Sequence, residues 1–277
     1  MATSEARMDV TAVIVAATRA VETGGDRPLF QDEFAADFVR AAGMSEVFPV
    51  SHAQIGQRDN AENLRALVGI TALRTRFLDD YFAEFALNQV VILAAGLDTR
   101  AFRLAWPAGC TVFELDHGPM LDFKQNVLDQ ADARARCDRR PVSIDLRTDW
   151  GSALDRAGFD PKLPTAWLAE GLFPFLPPTA EERLLDGMHE LSAAGSTIAV
   201  WAMAADIRGA DATVRSTITD FGIDINGITN TEPRRDARTH LASLGWSVTE
   251  STVDELGERY GRPQQNHPVT FFTAHLA

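Results

Sequence analysis

The sequence predicts an α/β fold built on a mostly parallel β-sheet with helices on both faces. Two observations carry this prediction: residues 1 to about 88 have helical patterning, and from residue 90 onward short β-branched runs alternate with helical segments. Strands that alternate with helices are joined by crossovers, which make the strands parallel and cover both faces of the sheet. With 277 residues and 45% hydrophobic content, the chain is long enough for one large α/β domain with additions.

Seven segments are predicted to be strands because they are short and rich in β-branched and aromatic residues. They are VVILAA (90–95), TVFELD (111–116), PVSID (141–145), TAWLAE (165–170), STIAVWAM (196–203), SVTEST (247–252) and VTFFTAHL (269–276). Ligands of such sheets bind beyond the carboxyl ends of the strands, near the point where the strand order reverses. The residues that finish each strand are therefore the first candidates for function.

Carboxylates finish three consecutive strands of the predicted sheet. Asp116 ends the second strand, Asp145 the third and Glu170 the fourth, while the first ends in Ala94-Ala95-Gly96. Any one of these acids is explained by a helix cap or by a solvated strand end. Three in succession favour a shared ligand instead.

The turn after the first strand lacks the glycines of a dinucleotide site. Such a site needs a second and a third glycine, for the approach of a pyrophosphate and for close helix packing, but Asp98 and Arg100 occupy the turn. Asp116 lies 20 residues after Gly96, a spacing that suits an acid accepting hydrogen bonds from ribose hydroxyls. A nucleoside that lacks phosphate and carries a cationic centre and an amino acid is S-adenosylmethionine. Strand-end carboxylates favour such a cationic ligand.

Arg74 is the predicted partner for the carboxylate of this ligand. It lies on the apolar stripe of the helix at 63–85, the stripe that faces the sheet. The other members of the stripe are Leu67, Ile70, Leu78 and Tyr81. A buried guanidinium requires an anion, and the alternative is that Arg74 pairs with a carboxylate of the protein or extends to solvent. Arg76 has Asp79 and Asp80 close by in sequence, which favours a surface ion pair for it.

The formal charge of −13 argues against a nucleic acid or an anionic membrane as partner, because phosphates are repelled at long range. The basic stretch at 134–140 is short and holds an aspartate, so we interpret it as a solvated helix end. Cys110 and Cys137 are too far apart for a CxxC unit, and no histidine spacing is typical of a metal site. No basic leader precedes the short apolar run at 12–17, so the sequence predicts a cytoplasmic protein without a membrane segment.

The chain resembles the leucine carboxyl methyltransferase family. It resembles more closely the family's branch of S-adenosylmethionine-dependent methyltransferases in actinomycetes. The resemblance rests on seven segments that occur in family order across nearly the whole chain. They are RPLFQDEFAADFV (27–39), RTRFLDDYF (74–82), VVILAAGLDTRAFRL (90–104), FELD (113–116), SIDLRTDW (143–150), WLAEGLFPFLP (167–177) and ERYGRP (258–263). The combination is highly specific, although no single segment is.

The resemblance implies a class I methyltransferase fold, which is Rossmann-like, with a seven-stranded, mostly parallel sheet whose final strand is antiparallel. It also implies two units: an N-terminal helical cap at 1–88 packed on the core, and an S-adenosylmethionine-binding methyltransferase core at 89–277. A lid insertion is expected after the fifth strand, at about 204–235. This segment is polar and carries three glycines, so a plain surface loop is the alternative.

The resemblance further implies roles for individual residues toward S-adenosylmethionine. Arg74 is expected at the methionine carboxylate, Asp116 at the ribose hydroxyls and Glu170 at the methionine end beside the transfer site. The remaining implied contacts are the backbone of Ala94, Ala95 and Gly96, and Asp145 and Leu146 at the adenine. His117 follows Asp116 directly and is a further candidate contact. The family's second basic contact comes from its N-terminal segment, and Arg19 is a guess for it.

Two departures from the family pattern bear on the site. Ala94-Ala95-Gly96 stands where eukaryotic members have Gly-x-Gly. The bacterial branch usually carries AEGLLMYLP, and this chain has AEGLFPFLP, with Pro174 and Phe175 in place of Met and Tyr. The second change removes a hydroxyl group near the acceptor.

The acceptor is predicted to be a small, partly apolar or aromatic molecule. Phe173, Phe175 and Phe221 are the predicted lining of its pocket. A carboxylate acceptor is ionised at neutral pH and needs no general base, and no histidine here has a partner that would mark it as one. We therefore expect O-methylation of a carboxylate, or of a hydroxyl, on a secondary metabolite such as a polyketide.

Other functions stay open at this point. They are a non-catalytic S-adenosylmethionine-binding protein, a protein carboxyl methyltransferase and, less favoured, an NAD-dependent oxidoreductase. The oxidoreductase is disfavoured because neither tyrosine, Tyr81 or Tyr260, has a lysine four residues later. Monomer and homodimer are equally compatible with the sequence.

Overall fold

The computed structural model of this chain describes residues 4–203, 229–264 and 269–277. The first part is helical, as predicted. Its helices are α1 (Ser4–Thr23), α2 (Ala35–Ala41), α3 (His52–Gly56) and α4 (Ala61–Phe85). The longest of them, α4, ends where Ala86 takes a left-handed conformation with φ of 45°.

The remaining elements alternate between strand and helix, apart from a 3₁₀ turn at Phe173–Phe175. The strands are β1 (Gln89–Leu93), β2 (Thr111–Asp116), β3 (Asp138–Ser143), β4 (Thr165–Glu170), β5 (Thr197–Met203), β6 (Trp246–Thr252) and β7 (Val269–Leu276). The helices are α5 (Arg100–Arg103), α6 (Gly118–Gln130), α7 (Trp150–Arg156), α8 (Pro178–Glu190), α9 (Ala237–Ser243) and α10 (Val253–Arg259). α10 begins with a capping box between Thr252 and Glu255, which satisfies backbone donors at its first turn.

The strands of the described residues form a seven-stranded sheet in the order β3-β2-β1-β4-β5-β7-β6. β1 to β5 run parallel, whereas β7 is antiparallel to both of its neighbours, β5 and β6. The prediction of a mostly parallel sheet with an antiparallel final strand is confirmed. Strand order reverses beside β1, which lies between β2 and β4, and this reversal places the ligand site of such a sheet at the carboxyl ends of these three strands.

Alternate residues of β1 enter two hydrophobic clusters, one on each face of the sheet. Val90 and Ile92 belong to the first cluster, which also takes buried side chains from α1, α2, α4, α6 and α10. Val91 and Leu93 belong to the second, under α7, α8 and α9. This alternation follows from the two-residue period of a strand. The helices at the N-terminus therefore share a core with the sheet, and the division into an N-terminal cap at 1–88 packed on a core at 89–277 stays a prediction.

Two predicted strand ends differ from the structure. β1 ends at Leu93 rather than at residue 95, because Ala94 has a left-handed φ of 50° that breaks the extended chain. β3 spans Asp138–Ser143 rather than residues 141–145. It is an edge strand that is mostly exposed, so it lacks the apolar pattern by which the other strands are found. Asp145 therefore lies two residues beyond its strand.

Part of the predicted lid, residues 204–228, lies outside the described residues, and so does Phe221. The described remainder, residues 229–235, leads into α9. Within the part of the chain that the structure describes, no helix has the length and apolar character needed to cross a membrane.

Candidate cofactor site

Asp116 joins the ends of β1 and β2. Its Oδ2 accepts a hydrogen bond from the backbone N–H of Gly96 at 2.7 Å, and its Oδ1 accepts one from the N–H of His117 at 2.7 Å. A carboxylate offers about four acceptor positions, so each oxygen keeps capacity for another donor such as a ribose hydroxyl. Burial raises the pKa of Asp116 above its ordinary value, although the two N–H donors oppose this change.

The turn after β1 has left-handed backbone conformations at two positions. Both Ala94 and Gly96 have positive φ angles, of 50° and 41°. A β-carbon added at Gly96 would lie 3.7 Å from the Cβ of Ala12, which shows that α1 packs directly over this turn. The three predicted residues Ala94, Ala95 and Gly96 therefore form a narrow turn covered by the N-terminal helix.

Arg74 reaches the end of β4 from α4. It is 5% exposed, and its Nε lies 2.7 Å from Oε1 of Glu170, although the two groups are not aligned as a hydrogen bond. The guanidinium carbon lies 4.6 Å from the centre of the Trp201 ring on β5, within cation–π range. Burial lowers the pKa of Arg74, and Arg19 and Arg100 add to this effect while Glu170 opposes it. In this structure Arg74 thus has the protein partner that the sequence left open as an alternative.

Arg100 is the centre of the site's ion pairs, a role that the sequence reasoning missed. Its Nη1 donates to Oε2 of Glu170 at 2.9 Å and to the carboxylate of Asp98, and its Nε donates to Asp79 at 2.9 Å. Burial opposes ionisation of Glu170, but Arg100 and Arg74 outweigh it and hold the pKa of Glu170 below its ordinary value. The same balance, led by Arg100 and helped by Lys124, lowers the pKa of Asp98 to about 2.

Arg19 extends this cluster into α1. Its Nη2 donates to the carbonyl oxygen of Leu97 at 2.6 Å, and its Nε lies 3.2 Å from Oδ2 of Asp32. Asp32 also accepts a hydrogen bond from the Thr99 hydroxyl at 2.8 Å. The charge of Arg19 is close enough to depress the pKa of Arg74. The N-terminal arginine that was a guess from sequence therefore lies beside the turn after β1 and near Arg74.

The cluster as a whole is balanced in charge. Three buried arginines and one partly buried arginine face four buried or largely buried carboxylates, and each ion is paired within the group. The arginines are Arg19, Arg74, Arg100 and Arg103, and the carboxylates are Asp32, Asp79, Asp98 and Glu170. Buried charges are tolerated when they are paired in this way. A zwitterionic ligand end adds one charge of each sign and keeps the balance.

Asp145 and His117 lie on the far side of Asp116. The backbone N–H of Ile144 donates to the carbonyl oxygen of Asp116 at 2.9 Å, which holds the chain after β3 beside β2. Arg147 binds both carboxylate oxygens of Asp145, lowers its pKa through these hydrogen bonds, and is itself 59% exposed. These residues and the half-buried Leu146 are together, but their predicted contacts with adenine stay predictions.

The segment after β4 is the predicted acceptor side of the site. Gly171 takes a left-handed φ of 65°, and its missing β-carbon would lie 3.7 Å from the Trp201 ring. Phe173 is buried in the second hydrophobic cluster, whereas Phe175 is half-buried. Phe175 is therefore the better placed of the two to meet a ligand, and its role stays a prediction.

Arg234 fixes this segment from the chain that leads into α9. Its Nη1 donates to the carbonyl oxygen of Phe173 at 2.8 Å and to Oε2 of Glu181 at 2.6 Å. Its Nη2 donates to the carbonyl oxygens of Asn230 and Leu176, at 2.8 and 3.3 Å. No sequence pattern predicts this role, because most of the partners are backbone carbonyl oxygens whose direction depends on the folded turn.

The residues present fit S-adenosylmethionine. Asp116 keeps acceptor capacity for two ribose hydroxyls, and the backbone N–H of Gly96 is already bound to this carboxylate rather than left for a phosphate. Arg74 and Glu170 offer one charge of each sign where a methionine end needs them. Asp98, which a pyrophosphate would meet, is ionised and paired with Arg100.

Comparison with known proteins gives the same identification. The family model described as leucine carboxyl methyltransferase matches residues 12–189. A protein of Saccharopolyspora erythraea that carries the name of an S-adenosyl-L-methionine-dependent methyltransferase is 44% identical over 261 residues, covering 92% of this chain and 88% of its own. A similarly named protein of Mycolicibacterium smegmatis is 42% identical over 270 residues, covering 92% and 89%.

Solved structures share the fold at low sequence identity. A methyltransferase from Thermobifida fusca aligns with a TM-score of 0.55 at 14% identity, covering 96% of this chain and 94% of its own. The magnesium protoporphyrin IX methyltransferase of Synechocystis, solved with bound SAH (S-adenosylhomocysteine), aligns with a TM-score of 0.52 at 13% identity, covering 89% and 100%. Both likenesses establish the class I methyltransferase fold.

Proposed function

This chain belongs to the leucine carboxyl methyltransferase family and is an S-adenosylmethionine-dependent methyltransferase, and we propose that it methylates an oxygen of a small acceptor. The favoured acceptor oxygen is a carboxylate, with a hydroxyl as the second choice. The acceptor is a partly apolar or aromatic secondary metabolite, such as a polyketide. The protein-directed reaction of eukaryotic family members is disfavoured, because it requires docking of a large partner.

The observation that carries the cofactor assignment is the position of Asp116 and Glu170 at the ends of β2 and β4, on either side of β1, with Arg74 of α4 beside Glu170. When bound, S-adenosylmethionine supplies a methyl group on a positively charged sulfur. Asp116 then binds the ribose hydroxyls, and Arg74 binds the carboxylate of the methionine end. Glu170, at the end of β4, places a negative charge beside the transfer site. These residues orient the cofactor, and orientation is the main requirement of an in-line displacement.

The described histidines support an acceptor that needs no base. His240 pairs with Asp186 at 2.7 Å, and His189 accepts a hydrogen bond from the Trp246 indole at 3.2 Å, both on the side of the sheet under α8 and α9. His275 stacks on Phe85 and lies opposite Thr197, the first residue of β5. His117 belongs to the ribose side, next to Asp116.

Neither tyrosine is available as a base. The Tyr81 hydroxyl is bonded to the carbonyl oxygen of Trp167 and to Thr197, and burial raises its pKa far above the ordinary value. The Tyr260 hydroxyl donates to Asp80 at 2.9 Å, and burial raises its pKa to about 12. A carboxylic acid, with a pKa of about 4, is ionised without help at neutral pH, whereas a phenol near about 10 is not.

The acceptor assignment is tested with matched aromatic acids and phenols and a donor labelled in its methyl group. We expect label to enter a base-labile ester of the acids, at a rate that changes little between about pH 6 and pH 8, because the acceptor is ionised throughout. Label in base-stable ethers of the phenols alone would contradict the carboxylate proposal. Label transferred to a protein and to none of the small molecules would support the protein-directed alternative.

A further inference from the structure

Glu170 holds its two arginines in different ways. Its Oε2 accepts an aligned hydrogen bond from Nη1 of Arg100 at 2.9 Å. Its Oε1 is 2.7 Å from Nε of Arg74, but that nitrogen, buried as it is, has no aligned hydrogen-bond acceptor among the described residues. An N–H group buried without a proper acceptor is costly, and more so when it is charged. The Arg74 contact is therefore the weaker of the two.

Arg100 is anchored independently of Glu170. Its Nε donates to Asp79 at 2.9 Å, and it also pairs with Asp98. Arg74 has Glu170 as its carboxylate partner among the described ion pairs, and the other face of its guanidinium lies against Trp201. If Glu170 turned away, Arg100 would remain neutralised, but Arg74 would need another anion.

From this asymmetry we propose that the methionine end of the cofactor binds by exchange of ion pairs. The ligand's carboxylate replaces Oε1 of Glu170 as the partner of Arg74, and Oε1 accepts the ligand's ammonium group, while Oε2 stays on Arg100. Every buried charge is paired before and after the exchange, and no bond other than hydrogen bonds is formed or broken. This inference rests on the proposed cofactor roles of Arg74 and Glu170.

The exchange makes the two groups of the ligand depend on each other. A ligand with a carboxylate alone must compete with Glu170 for Arg74, because nothing draws Glu170 away. A ligand with an ammonium group alone draws Glu170 away and leaves Arg74 without an anion. The site therefore selects for an intact amino acid end rather than for either charge.

Four uncharged-sulfur ligands measure this dependence. They are S-adenosylhomocysteine, its deaminated analogue, its decarboxylated analogue, and 5′-propylthioadenosine, which lacks both groups. Calorimetry with the unsubstituted full chain gives the coupling between the amino and carboxylate groups as a double cycle. We expect the increase in affinity that each group provides to be about tenfold larger when the other group is present than when it is absent. Independent contributions of the two groups would overturn the exchange.

Glu170→Gln tests the origin of the coupling. It removes the anion that competes for Arg74 and that receives the ammonium group. We expect the deaminated analogue to bind more tightly than to the unsubstituted chain, by about tenfold, while the decarboxylated analogue and S-adenosylhomocysteine bind more weakly. Weaker binding of the deaminated analogue would contradict the proposal. Glu190→Gln, an exposed change in α8, is the matched control and should alter none of the four affinities.

The ligand cycle in the unsubstituted chain decides the matter even if Glu170→Gln fails to fold. Failure of S-adenosylhomocysteine itself to bind would overturn the proposed site together with the exchange. Binding of S-adenosylhomocysteine without coupling between its two end groups would overturn the exchange alone.

Discussion

The backbone N–H of Gly96 donates to Oδ2 of Asp116 at 2.7 Å, and this bond connects the turn after β1 to the last residue of β2. Two neighbouring parallel strands thus end at one carboxylate, which also accepts the N–H of His117. The two bonds restrict the orientation of the Asp116 carboxylate at the carboxyl edge of the sheet. A single side chain therefore shapes the turn and serves as the proposed ribose ligand.

Asp116→Asn keeps the size of this side chain but replaces one acceptor oxygen with an NH₂ group. Either the Gly96 contact or the ribose contact then loses an acceptor, so we expect the affinity for S-adenosylhomocysteine to fall by at least about tenfold. Isothermal calorimetry measures this change. Asp122→Asn, an exposed position in α6, is the control and should bind as the unsubstituted chain does. Equal affinities in the two variants would remove Asp116 from the site.

Arg74→Ala and Arg76→Ala compare a buried and a surface arginine two residues apart in α4. Arg74 faces Glu170, whereas Arg76 forms an i,i+4 pair with Asp80 and has a 43% exposed side chain. We expect Arg74→Ala to weaken S-adenosylhomocysteine binding by more than about tenfold, because a charged hydrogen-bond donor is lost. Arg76→Ala should change the affinity by less than about threefold, as exposed ion pairs contribute little. A larger effect at Arg76 would contradict the assignment.

The pKa of Asp98 predicts how the free energy of unfolding depends on pH in the acid range. Its pKa in the folded chain is about 2, against an ordinary value of 3.8, because Arg100 and Lys124 outweigh the effect of burial. The stabilisation from ionised Asp98 is therefore complete above the unfolded pKa of 3.8 and is lost as the pH falls toward about 2.

Urea unfolding at a series of pH values between about 5 and 2 measures this loss. The free energy of unfolding of the unsubstituted chain should fall more steeply over this interval than that of Asp98→Asn, which has no carboxyl group to protonate. The variant should also be less stable at pH 7, because Arg100 loses an anion. Parallel pH profiles would show that Asp98 has no depressed pKa.

Ala94 occupies a left-handed conformation that favours glycine. Its φ is 50°, at the position where eukaryotic family members have the first glycine of the turn. A left-handed conformation costs an L-residue roughly 1–2 kcal/mol, and glycine avoids this cost. Glycine also raises the conformational entropy of the unfolded chain, which offsets part of the gain in stability. We expect Ala94→Gly to raise the free energy of unfolding by about 0.5–1 kcal/mol. Ala131→Gly, at a φ of −89° after α6, should not stabilise the chain, and equal effects would contradict the strain at Ala94.

Local patterns in the sequence predicted much of the fold, and the role of Asp116 toward a ribose stays a prediction. The alternation of short apolar runs with helical segments located six strands closely, and the third strand, β3, begins three residues before its predicted start. The apolar stripe of α4 predicted that Arg74 is buried. These features could be predicted from the sequence because each depends on periodicity or on one strand and the turn beside it.

The ion pairs of the site could not be predicted in the same way. The sequence predicts only that Arg100 occupies the turn after β1 in place of the glycines of a dinucleotide site. In the structure it contacts carboxylates from three separate segments, which are Asp79, Asp98 and Glu170. Periodicity tells that a charged residue is buried, but its partner depends on how helices and turns pack in three dimensions. Asp32, which pairs with Arg19, was missed for the same reason.

The central claim is that this sheet edge binds an adenosyl amino acid and not a dinucleotide. Calorimetry of the full chain with S-adenosylhomocysteine and with NAD measures this most directly. The account predicts saturable 1:1 binding of S-adenosylhomocysteine below about 100 μM and no binding of NAD at about 1 mM, since the turn after β1 lacks the second and third glycines that a pyrophosphate requires. Saturable binding of NAD, or no binding of S-adenosylhomocysteine at about 1 mM, would contradict it.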